Sequence, residues 1–337
     1  MLVSVSISAY NEENYLPAIF ESLVHQTYPH KQIEIVLINA MSTDGTRRLM
    51  NEFQESYQHE FYAIKIFDNP KKTLNTGLNL GFKHSDGECY LKIDAHSHIP
   101  ENFIENNVAV IQTGERVCGG RRPTIVETDD ELAKTLHIVE ESALGSSIAN
   151  YRKGDESRYV DSVFQGMYHK EVIEKVGYFD EKLVRTEDNE FHYRIRKNGF
   201  KIWYDTSIES FQYIRPTYSK MLKQKLGNGY WIGLTSHVCR ECLSLFHFVP
   251  GVFVGTLLAT ILVAGISALP FLLLVSIYLL AIIGLSLFEI STHPFHITRL
   301  LIPFLMISVH ISYGIGTIRG WIEGFWWKKS YFSTIEE

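Results

Sequence analysis

The feature that most constrains this sequence is a run of 41 residues, Phe248 to Phe288, without any Asp, Glu, Lys or Arg. A membrane-spanning helix needs about 20 apolar residues, so the run has the length of two spans joined by a tight turn. The break is expected at Ser267–Pro270, because proline starts a helix better than it continues one. The alternative is a pair of helices buried in a soluble core, and such helices rarely stay uncharged over this length.

A second uncharged stretch follows from Leu300 to Ile318, interrupted only by His310. We expect it to form a third membrane segment, while Pro303 and the nearby glycines leave re-entrant and interfacial arrangements open. The C-terminal half is therefore predicted to be embedded in a membrane. Its helices are expected at about 248–267, 269–288 and 300–318, followed by a tail over 321–337.

Charge and the N-terminal sequence predict which side of the membrane holds the rest of the chain. Met1–Ser8 has no basic segment of the signal-peptide type and alternates as a strand does, so the residues before the spans are expected in the cytoplasm. The positive-inside rule agrees, because the first span is preceded by Lys220, Lys223, Lys225 and Arg240. Three full spans would place Lys328 and Lys329 outside, against that rule, so the crossing of the third segment stays open.

The composition excludes several classes of protein. Hydrophobic residues make up 45% of the 337 residues, which excludes a disordered chain. The net charge of -6, from 32 basic and 38 acidic residues, argues against a dedicated nucleic-acid binder. Four cysteines do not make a disulfide framework and fit a reducing compartment.

Residues 1–215 alternate between strand and helix patterns and are expected to form one domain, with a juxtamembrane helical segment over 216–247. The second strand, Ile33–Ile38, is continuously apolar, as in a parallel sheet covered on both faces. The other strands are predicted at Leu2–Ser8, Ala63–Phe67 and Cys89–Ile93, and the helices at Asn11–Gln26, Thr46–Gln58 and Lys72–His84. This order predicts an α/β fold whose ligands bind at the carboxyl ends of the strands.

Polar residues follow three of these strands and also open a later helix. Asp94 and His96 stand two apart on an extended segment, so both can reach one divalent metal, although such a pair is also common in solvated loops. Glu187 and Asp188 open a helical run, where acids also serve merely to complement the helix dipole. No G-x-G-x-x-G or P-loop motif is present, which removes the usual support for hydride transfer and for P-loop ATPase chemistry.

Four motifs follow one another along the chain: Val5–Glu12, Glu34–Ile38 with Ser42–Thr46, Asp94-Ala95-His96, and Thr186-Glu187-Asp188. Together they make residues 1 to about 231 resemble the family-two glycosyltransferases of the GT-A fold. The Asp-Ala-His-Ser form and the C-terminal spans resemble the bacterial branch that includes the succinoglycan β-glucosyltransferases.

The resemblance implies a role for each matching residue. Asp94 and His96 would hold Mn²⁺ or Mg²⁺ against the donor diphosphate, and Asp188 would be the catalytic base. The donor nucleotide would be bound by Ala9, Tyr10, Glu12, Asn39 and Asp94. Candidates for the acceptor or the diphosphate are Glu187, Arg215, Gln224 and Trp231, although Trp231 also suits an interfacial helix.

The expected function is metal-dependent, inverting transfer of a hexose from a nucleotide-diphospho-sugar, a UDP-sugar by preference. The acceptor is expected to be a lipid-linked saccharide in exopolysaccharide or capsule synthesis, with no nucleic-acid partner. The location is expected to be the cytoplasmic (inner) membrane of the bacterial type, multi-pass, with the catalytic domain in the cytoplasm. The alternative is a catalytically inactive, membrane-anchored sugar-nucleotide-binding or assembly subunit.

Two departures from the family pattern bear on these expectations. Asn39 stands where the family usually has an Asp that reads the nucleotide, and the amide keeps an acceptor but loses the charge. The Q-x-x-R-W motif of processive synthases is missing, because Gln224 is followed by Lys225-Leu226-Gly227-Asn228. We therefore expect transfer of a single sugar.

Overall fold

The computed structural model describes residues 1–126, 128–142, 145, 156–213 and 217–333. The chain divides into two units, of which the first comprises Met1–Thr124 with Ala149–Tyr213 and the second Ile125–Ile148 with Ile214–Glu337. The expected uninterrupted domain over 1–215 differs from this division, because residues 125–148 are grouped with the C-terminal helices.

The first unit is built on an eight-stranded mixed sheet. The strands of the described chain are β1 Val3–Ala9, β2 Ile33–Asn39, β3 Ala63–Asp68, β4 Cys89–Lys92, β5 Ser97–His98, β6 Val117–Arg121, β7 Thr124–Ile125, β8 Arg158–Val160, β9 Phe164–His169, β10 Ile202–Glu209 and β11 Phe211–Tyr213. Their order in the sheet is β3-β2-β1-β4-β9-β6-β10-β8. Neighbouring strands β1 to β4 are parallel, whereas β9 runs antiparallel to both β4 and β6. All seven residues of β2 are buried, as its unbroken apolar sequence predicts for a strand covered on both faces.

Helices connect the parallel strands, and the strand β11 pairs with β5 outside the main sheet. In this unit they are α1 Leu16–Val24, α2 Thr46–Tyr57, α3 Leu74–Lys83, α4 Phe103–Gln112, α6 Lys170–Val176 and α7 Glu187–Lys197, while α5 Glu131–Glu141 belongs to the second unit. The predicted α/β fold with a largely parallel sheet is confirmed, and the predicted elements of residues 1–93 end within a few residues of their observed bounds.

The first helix begins later than the sequence predicts, at Leu16 instead of Asn11. Asn11 has a φ of 54°, in the left-handed region that Asn tolerates better than most residues, so the chain turns before the helix starts. Pro17 then occupies the first turn of the helix, where a missing N–H costs nothing. The six residues between β1 and α1 are thereby left as a polar loop at the carboxyl edge of the sheet.

In its described residues the second unit contains four further helices, three of which are long and apolar enough to cross a membrane. These helices are α8 Tyr218–Thr235, α9 Val249–Val263, α10 Leu269–Thr292 and α11 Ile302–Ser333. The candidate spans are Leu245–Val263, Leu269–Thr292 and Ile297–Phe332. Leu262 and Ile266 are 85% and 93% exposed, which suits an apolar surrounding better than water.

The predicted break between the first two apolar helices is observed, since α9 ends at Val263 and Pro270 lies in the first turn of α10. The third segment is longer than the predicted 300–318. Its helix continues to Ser333 and includes Lys328 and Lys329, so most of the predicted tail is helical.

Helices α8 and α11 approach until their backbones touch. A Cβ atom added at Gly320 of α11 would overlap the carbonyl oxygen of Tyr230, and one added at Gly233 of α8 would overlap that of Thr317. Small residues allow helices in membranes to pack this closely. Nearer the start of α11, Leu136, Ile138 and Val139 of α5 join one apolar cluster with Ile302, Leu305, Met306, Val309, Met221 and Ile282.

Candidate active site

Three parallel strands end side by side at the carboxyl edge of the sheet. Ala9, the last residue of β1, pairs with Asn39, the last residue of β2, and Asn39 pairs with Asp68 at the end of β3. The buried Asn39 amide donates to Asp68 Oδ1 over 2.8 Å and its oxygen accepts from the Ser42 N–H over 3.0 Å. This edge therefore carries a carboxylate, that of Asp68. It lies on the strand next to Asn39, the position where the family usually has an Asp.

The loop after β1 is fastened to the loop after β2 by polar contacts. The Asn11 side chain accepts from the Thr43 N–H over 2.9 Å, and the Glu12 N–H donates to Thr46 Oγ1 over 2.8 Å. Tyr10 remains 50% exposed beside them. These contacts hold Ala9, Tyr10 and Glu12 around one edge of the sheet, as a nucleotide pocket would require.

Asp94 and His96 lie on the turn that follows β4, and the Ser97 N–H closes this turn by donating to the Asp94 carbonyl over 3.1 Å. The Asp94 side chain is partly exposed, and no described residue donates a hydrogen bond to its carboxylate. His96 places Nδ1 3.5 Å from Glu12 Oε1 and Nε2 3.0 Å from Gln212 Nε2. Among the described residues, no three His, Cys, Asp or Glu side chains are grouped as a metal site would need.

The predicted base lies in a buried charge cluster beneath this turn. Asp188, in the first turn of α7, receives Lys92 Nζ at 2.9 Å on Oδ1 and 3.0 Å on Oδ2. Lys92 is 2% exposed, whereas the Asp188 side chain keeps 24% of its surface accessible. The neighbouring Glu187 is buried, lies 3.9 Å from Lys92 Nζ through Oε1, and has no hydrogen-bond partner for Oε2 among the described residues.

The cluster separates the pKa values of its two adjacent acids. Burial has the largest single effect on the pKa of Asp188 and raises it, but the lowering effects, led by the charge and hydrogen bonds of Lys92, together outweigh burial and hold that pKa below its ordinary value. For Glu187, burial and then the Asp188 charge raise the pKa to about 7. Lys92 itself stays protonated, because the charges of Asp188, Asp94 and Glu187 overcome the effect of its burial on its pKa. Asp188 is therefore the ionised acid of the pair at neutral pH.

A neutral histidine supports the same helix one turn later. Burial lowers the pKa of His192 to about 4. Its ring nitrogens lie 2.8 Å from Ser162 Oγ and 2.9 Å from the Tyr168 hydroxyl. These contacts fix the side of α7 from which Asp188 projects.

Residues 4–177, half of the chain, match the family described as Glycosyl transferase family 2. The chain belongs to this family. It is a glycosyltransferase, as the resemblance of its motifs predicted.

Named relatives agree with this assignment. The glycosyltransferase is 29% identical over 332 residues to the Methanococcus voltae protein named dolichyl N-acetyl-alpha-D-glucosaminyl phosphate 3-beta-D-2,3-diacetamido-2,3-dideoxy-beta-D-glucuronosyltransferase, covering 96% of this chain and 98% of the relative. It is 25% identical over 229 residues to the succinoglycan biosynthesis protein ExoA of Rhizobium meliloti, covering 67% of each. A solved mannosyltransferase from Pyrobaculum calidifontis, in complex with GDP-Man and Mn²⁺, superposes with a TM-score of 0.57 at 15% identity over 97% of this chain and 87% of that chain. This structural likeness shows the GT-A-like fold.

The remaining predicted residues of the glycosyltransferase lie elsewhere. Arg215 falls outside the described residues. Gln224 and Trp231 lie on α8 of the second unit, where Gln224 is exposed and Trp231 meets the Trp327 ring edge-on with centroids 6.1 Å apart. Their predicted roles toward the acceptor or the diphosphate stay predictions.

Three residues that contact the predicted site residues or their neighbours were not predicted from the sequence: Lys92, Asp68 and Gln165. A lysine within an otherwise apolar buried strand was the available signal for Lys92, since an ammonium is rarely buried without a partner. Asp68 was marked by its place at the end of a predicted strand. Gln165 had no local signal, because its burial depends on the pairing of β9 with distant strands.

Proposed function

We propose that this glycosyltransferase transfers a hexose from a nucleotide-diphospho-sugar to a lipid-linked saccharide, with inversion at the anomeric carbon. The observation that carries the proposal is the Asp188 carboxylate, which is ionised, partly accessible and fixed through both oxygens by Lys92. Lys92 is the last residue of the strand that leads to Asp94. The predicted base and the predicted donor-binding turn are thus linked by one short segment.

The donor nucleotide is assigned to the edge formed by Ala9, Asn39 and Asp68, with Tyr10 and Glu12 above it. Asn39 presents an amide that can match the hydrogen-bonding edge of a nucleobase. The Asp68 carboxylate can accept a hydrogen bond from a ribose hydroxyl or from an N–H of the base. We expect a UDP-sugar, as the family resemblance implies. A panel of UDP- and GDP-linked sugars tests this choice.

A divalent metal fits the turn after β4 through Asp94. Mg²⁺ and similar hard cations are often held by one or two carboxylates together with substrate phosphates, and the Asp94 carboxylate accepts no hydrogen bond from the described residues. His96 is the second proposed ligand, and its ring now contacts Glu12 and Gln212. When bound, Mn²⁺ or Mg²⁺ would stabilise the charge that develops on the leaving diphosphate.

We assign to Asp188 the role of the base that accepts the proton of the acceptor hydroxyl. Its pKa is held low, so the carboxylate is free of its own proton at neutral pH and can accept one as the new glycosidic bond forms. One base acting in one direct displacement inverts the anomeric centre, and an α-linked donor then gives a β-glycoside. Lys92 keeps the carboxylate oriented, and the neutral His192 adds no second charge to the helix turn.

The lipid-linked acceptor is supported by the three candidate membrane spans and by the M. voltae relative, whose name includes a dolichyl phosphate sugar. We propose a multi-pass protein of the cytoplasmic membrane with its first unit in the cytoplasm. A single cysteine at Ser267, on a background without other cysteines, should be labelled only from the outer face. Labelling from the cytoplasmic face would replace the two spans by a re-entrant hairpin.

The decisive experiment compares donor binding with product formation for wild type, Asp188→Asn and Asp94→Asn. General-base contributions are on the order of 10²–10⁴-fold, so Asp188→Asn should lower kcat by that factor while donor affinity, measured by calorimetry, hardly changes. Asp94→Asn should instead weaken donor binding that depends on Mn²⁺. Glu190→Gln, which alters an acid of the same helix that bonds to Arg194, serves as the control variant.

Two results would contradict the proposal. Full wild-type activity in excess chelator would exclude the metal-dependent mechanism. Donor binding without product from any nucleotide-sugar and any membrane-lipid extract would favour the alternative, an inactive sugar-nucleotide-binding or assembly subunit.

A further inference from the structure

Gln165 occupies a strained position within β9. The ladder between β6 and β9 pairs Cys118 with Met167 and then Gly120 with Phe164, so β9 carries one extra residue at this point. Gln165 is one of the two residues in this bulge and has a φ of 48°. This left-handed conformation is unfavourable for a residue other than Gly, Asn or Asp, and bulges and backbone strain of this kind concentrate near active sites.

The side chain of Gln165 is also incompletely satisfied. It is 1% exposed, and its Nε2 donates to the hydroxyl of the equally buried Ser97. Its Oε1 is buried and accepts no hydrogen bond from any residue that the structure describes. Because Ser97 holds the amide nitrogen, the amide oxygen is left available to accept a hydrogen bond from a bound ligand.

The position of this oxygen connects it with the proposed chemistry. Ser97 is the residue whose N–H closes the turn of Asp94. Three residues further along β9, Tyr168 contacts His192, one helical turn beyond Asp188. Gln165 therefore lies on a strand that is tied at one point to the donor-binding turn and at another to the helix of the base.

We infer that Gln165 is a sugar-binding residue whose Oε1 accepts a hydrogen bond from a hydroxyl group of the saccharide. A neutral amide oxygen suits a neutral hydroxyl donor, and a site built around such a bond rejects analogues that lack the hydroxyl. The hydroxyl belongs either to the donor hexose or to the acceptor sugar, which share this chemistry. The inference rests on the proposed transfer of a hexose.

The test combines two variants of Gln165 with monodeoxy sugars. Gln165→Met keeps the length of the side chain and removes the acceptor, while Gln165→Gly also relieves the backbone. With fully hydroxylated sugars, both variants should lower kcat/KM by about tenfold to a hundredfold. With the one deoxy analogue that lacks the partner hydroxyl, variant and wild type should agree within about twofold. If that analogue is a deoxy donor, Gln165 binds the donor hexose. If it is a deoxy acceptor, Gln165 binds the acceptor sugar.

Ser97→Ala is the matched control, because it removes the partner of Nε2 and leaves Oε1 in place. It should cause a uniform loss over all analogues. If Gln165→Met also causes a uniform loss and weakens Mn²⁺-dependent donor binding, Gln165 only supports the turn and the inference is wrong. If neither variant changes selectivity, the oxygen does not bind a sugar hydroxyl and the inference is equally wrong.

Failure of the proposed function gives a different pattern from failure of this inference. If wild type is active but no deoxy sugar abolishes the difference between wild type and Gln165→Met, only the sugar-binding role of Gln165 is overturned. If wild type binds donors but makes no product, calorimetry with the same deoxy donors replaces the kinetics. If wild type and Gln165→Met bind every donor with equal affinity in that measurement, the inference is overturned. A role toward the acceptor sugar would not rescue it, because that role requires that transfer takes place.

Discussion

Replacing Glu187 by Gln should make the protein more stable at pH 8, although the change removes a buried acid from the centre of the site. Burial and the adjacent Asp188 raise the pKa of Glu187 to about 7 from the ordinary 4.5. Its Oε2 has no hydrogen-bond partner among the described residues, and its distance to Lys92 is 3.9 Å. The charged form of Glu187 is therefore poorly compensated in the folded state.

The expected magnitude follows from the two pKa values. The difference between about 7 and 4.5, at about 1.4 kcal/mol per pH unit, corresponds to about 3 kcal/mol. Because the folded state binds this proton more tightly than the unfolded state, the free energy of unfolding falls as the pH rises from about 4.5 to about 7. At pH 8 the full cost is present, and at pH 4.5 or below it has disappeared. Glu187→Gln should thus recover up to about 3 kcal/mol at pH 8 and little at pH 5.

The measurement is the thermal unfolding of the full chain in detergent with excess chelator, at pH 5 and pH 8. About 3 kcal/mol corresponds to a rise in Tm of roughly 5–10 °C at pH 8 for a unit of this size. Glu190→Gln is the control, because it removes a carboxylate three residues later that bonds to Arg194 and should lower Tm. An equal effect of Glu187→Gln at both pH values, or a lower Tm at pH 8, would refute the assigned origin of the pKa.

Three further changes test other parts of the structure. Lys92→Met should leave Asp188 uncompensated and lower the free energy of unfolding by about 3–5 kcal/mol, and Lys92→Met combined with Asp188→Asn should recover most of it in urea titrations. Asp68→Asn should weaken UDP binding by about tenfold in calorimetry without changing Mn²⁺ dependence, and unchanged affinity would remove Asp68 from the nucleotide edge. Gly320→Val should separate α8 from α11 at Tyr230 and lower the yield of folded protein from membranes, whereas Gly265→Val, with open space around it, should not.

The sequence could predict those parts of the fold and site that depend on neighbouring residues. The apolar β2, the Pro270 break and the acids at the start of α7 each have a local pattern with a physical meaning. These patterns predicted Asp94 at the end of a strand and Asp188 at the start of a helix. Helix α1 was predicted to begin five residues too early, because the turn at Asn11 depends on contacts with Thr43 and the rest of the second loop.

The parts that could not be predicted depend on pairing between distant segments. Lys92 and Asp188 are 96 residues apart, and only the fold shows that the ammonium lies between the carboxylate oxygens. The strain at Gln165 arises from an extra residue in the β6–β9 ladder, for which one sequence gives no sign. Similarly, the predicted domain over 1–215 includes the residues of α5, and the apolar residues that pack against α5 in the structure follow it much later in the chain.

That separation matters during synthesis. Val139 of α5 packs in one apolar cluster with Ile302, which emerges from the ribosome roughly 160 residues later. At a synthesis rate of about 5–20 residues per second, α11 is made on the order of ten to thirty seconds after α5, and the apolar face of α5 lacks this partner until then. Both partners of the buried Lys225–Glu140 ion pair, and Met221 of the same apolar cluster, are made before α11, so these contacts are available to hold α5 near α8 during that interval. A ribosome that pauses before α11 would therefore leave a nascent chain in which the apolar face of α5 is exposed before the last candidate span has been made.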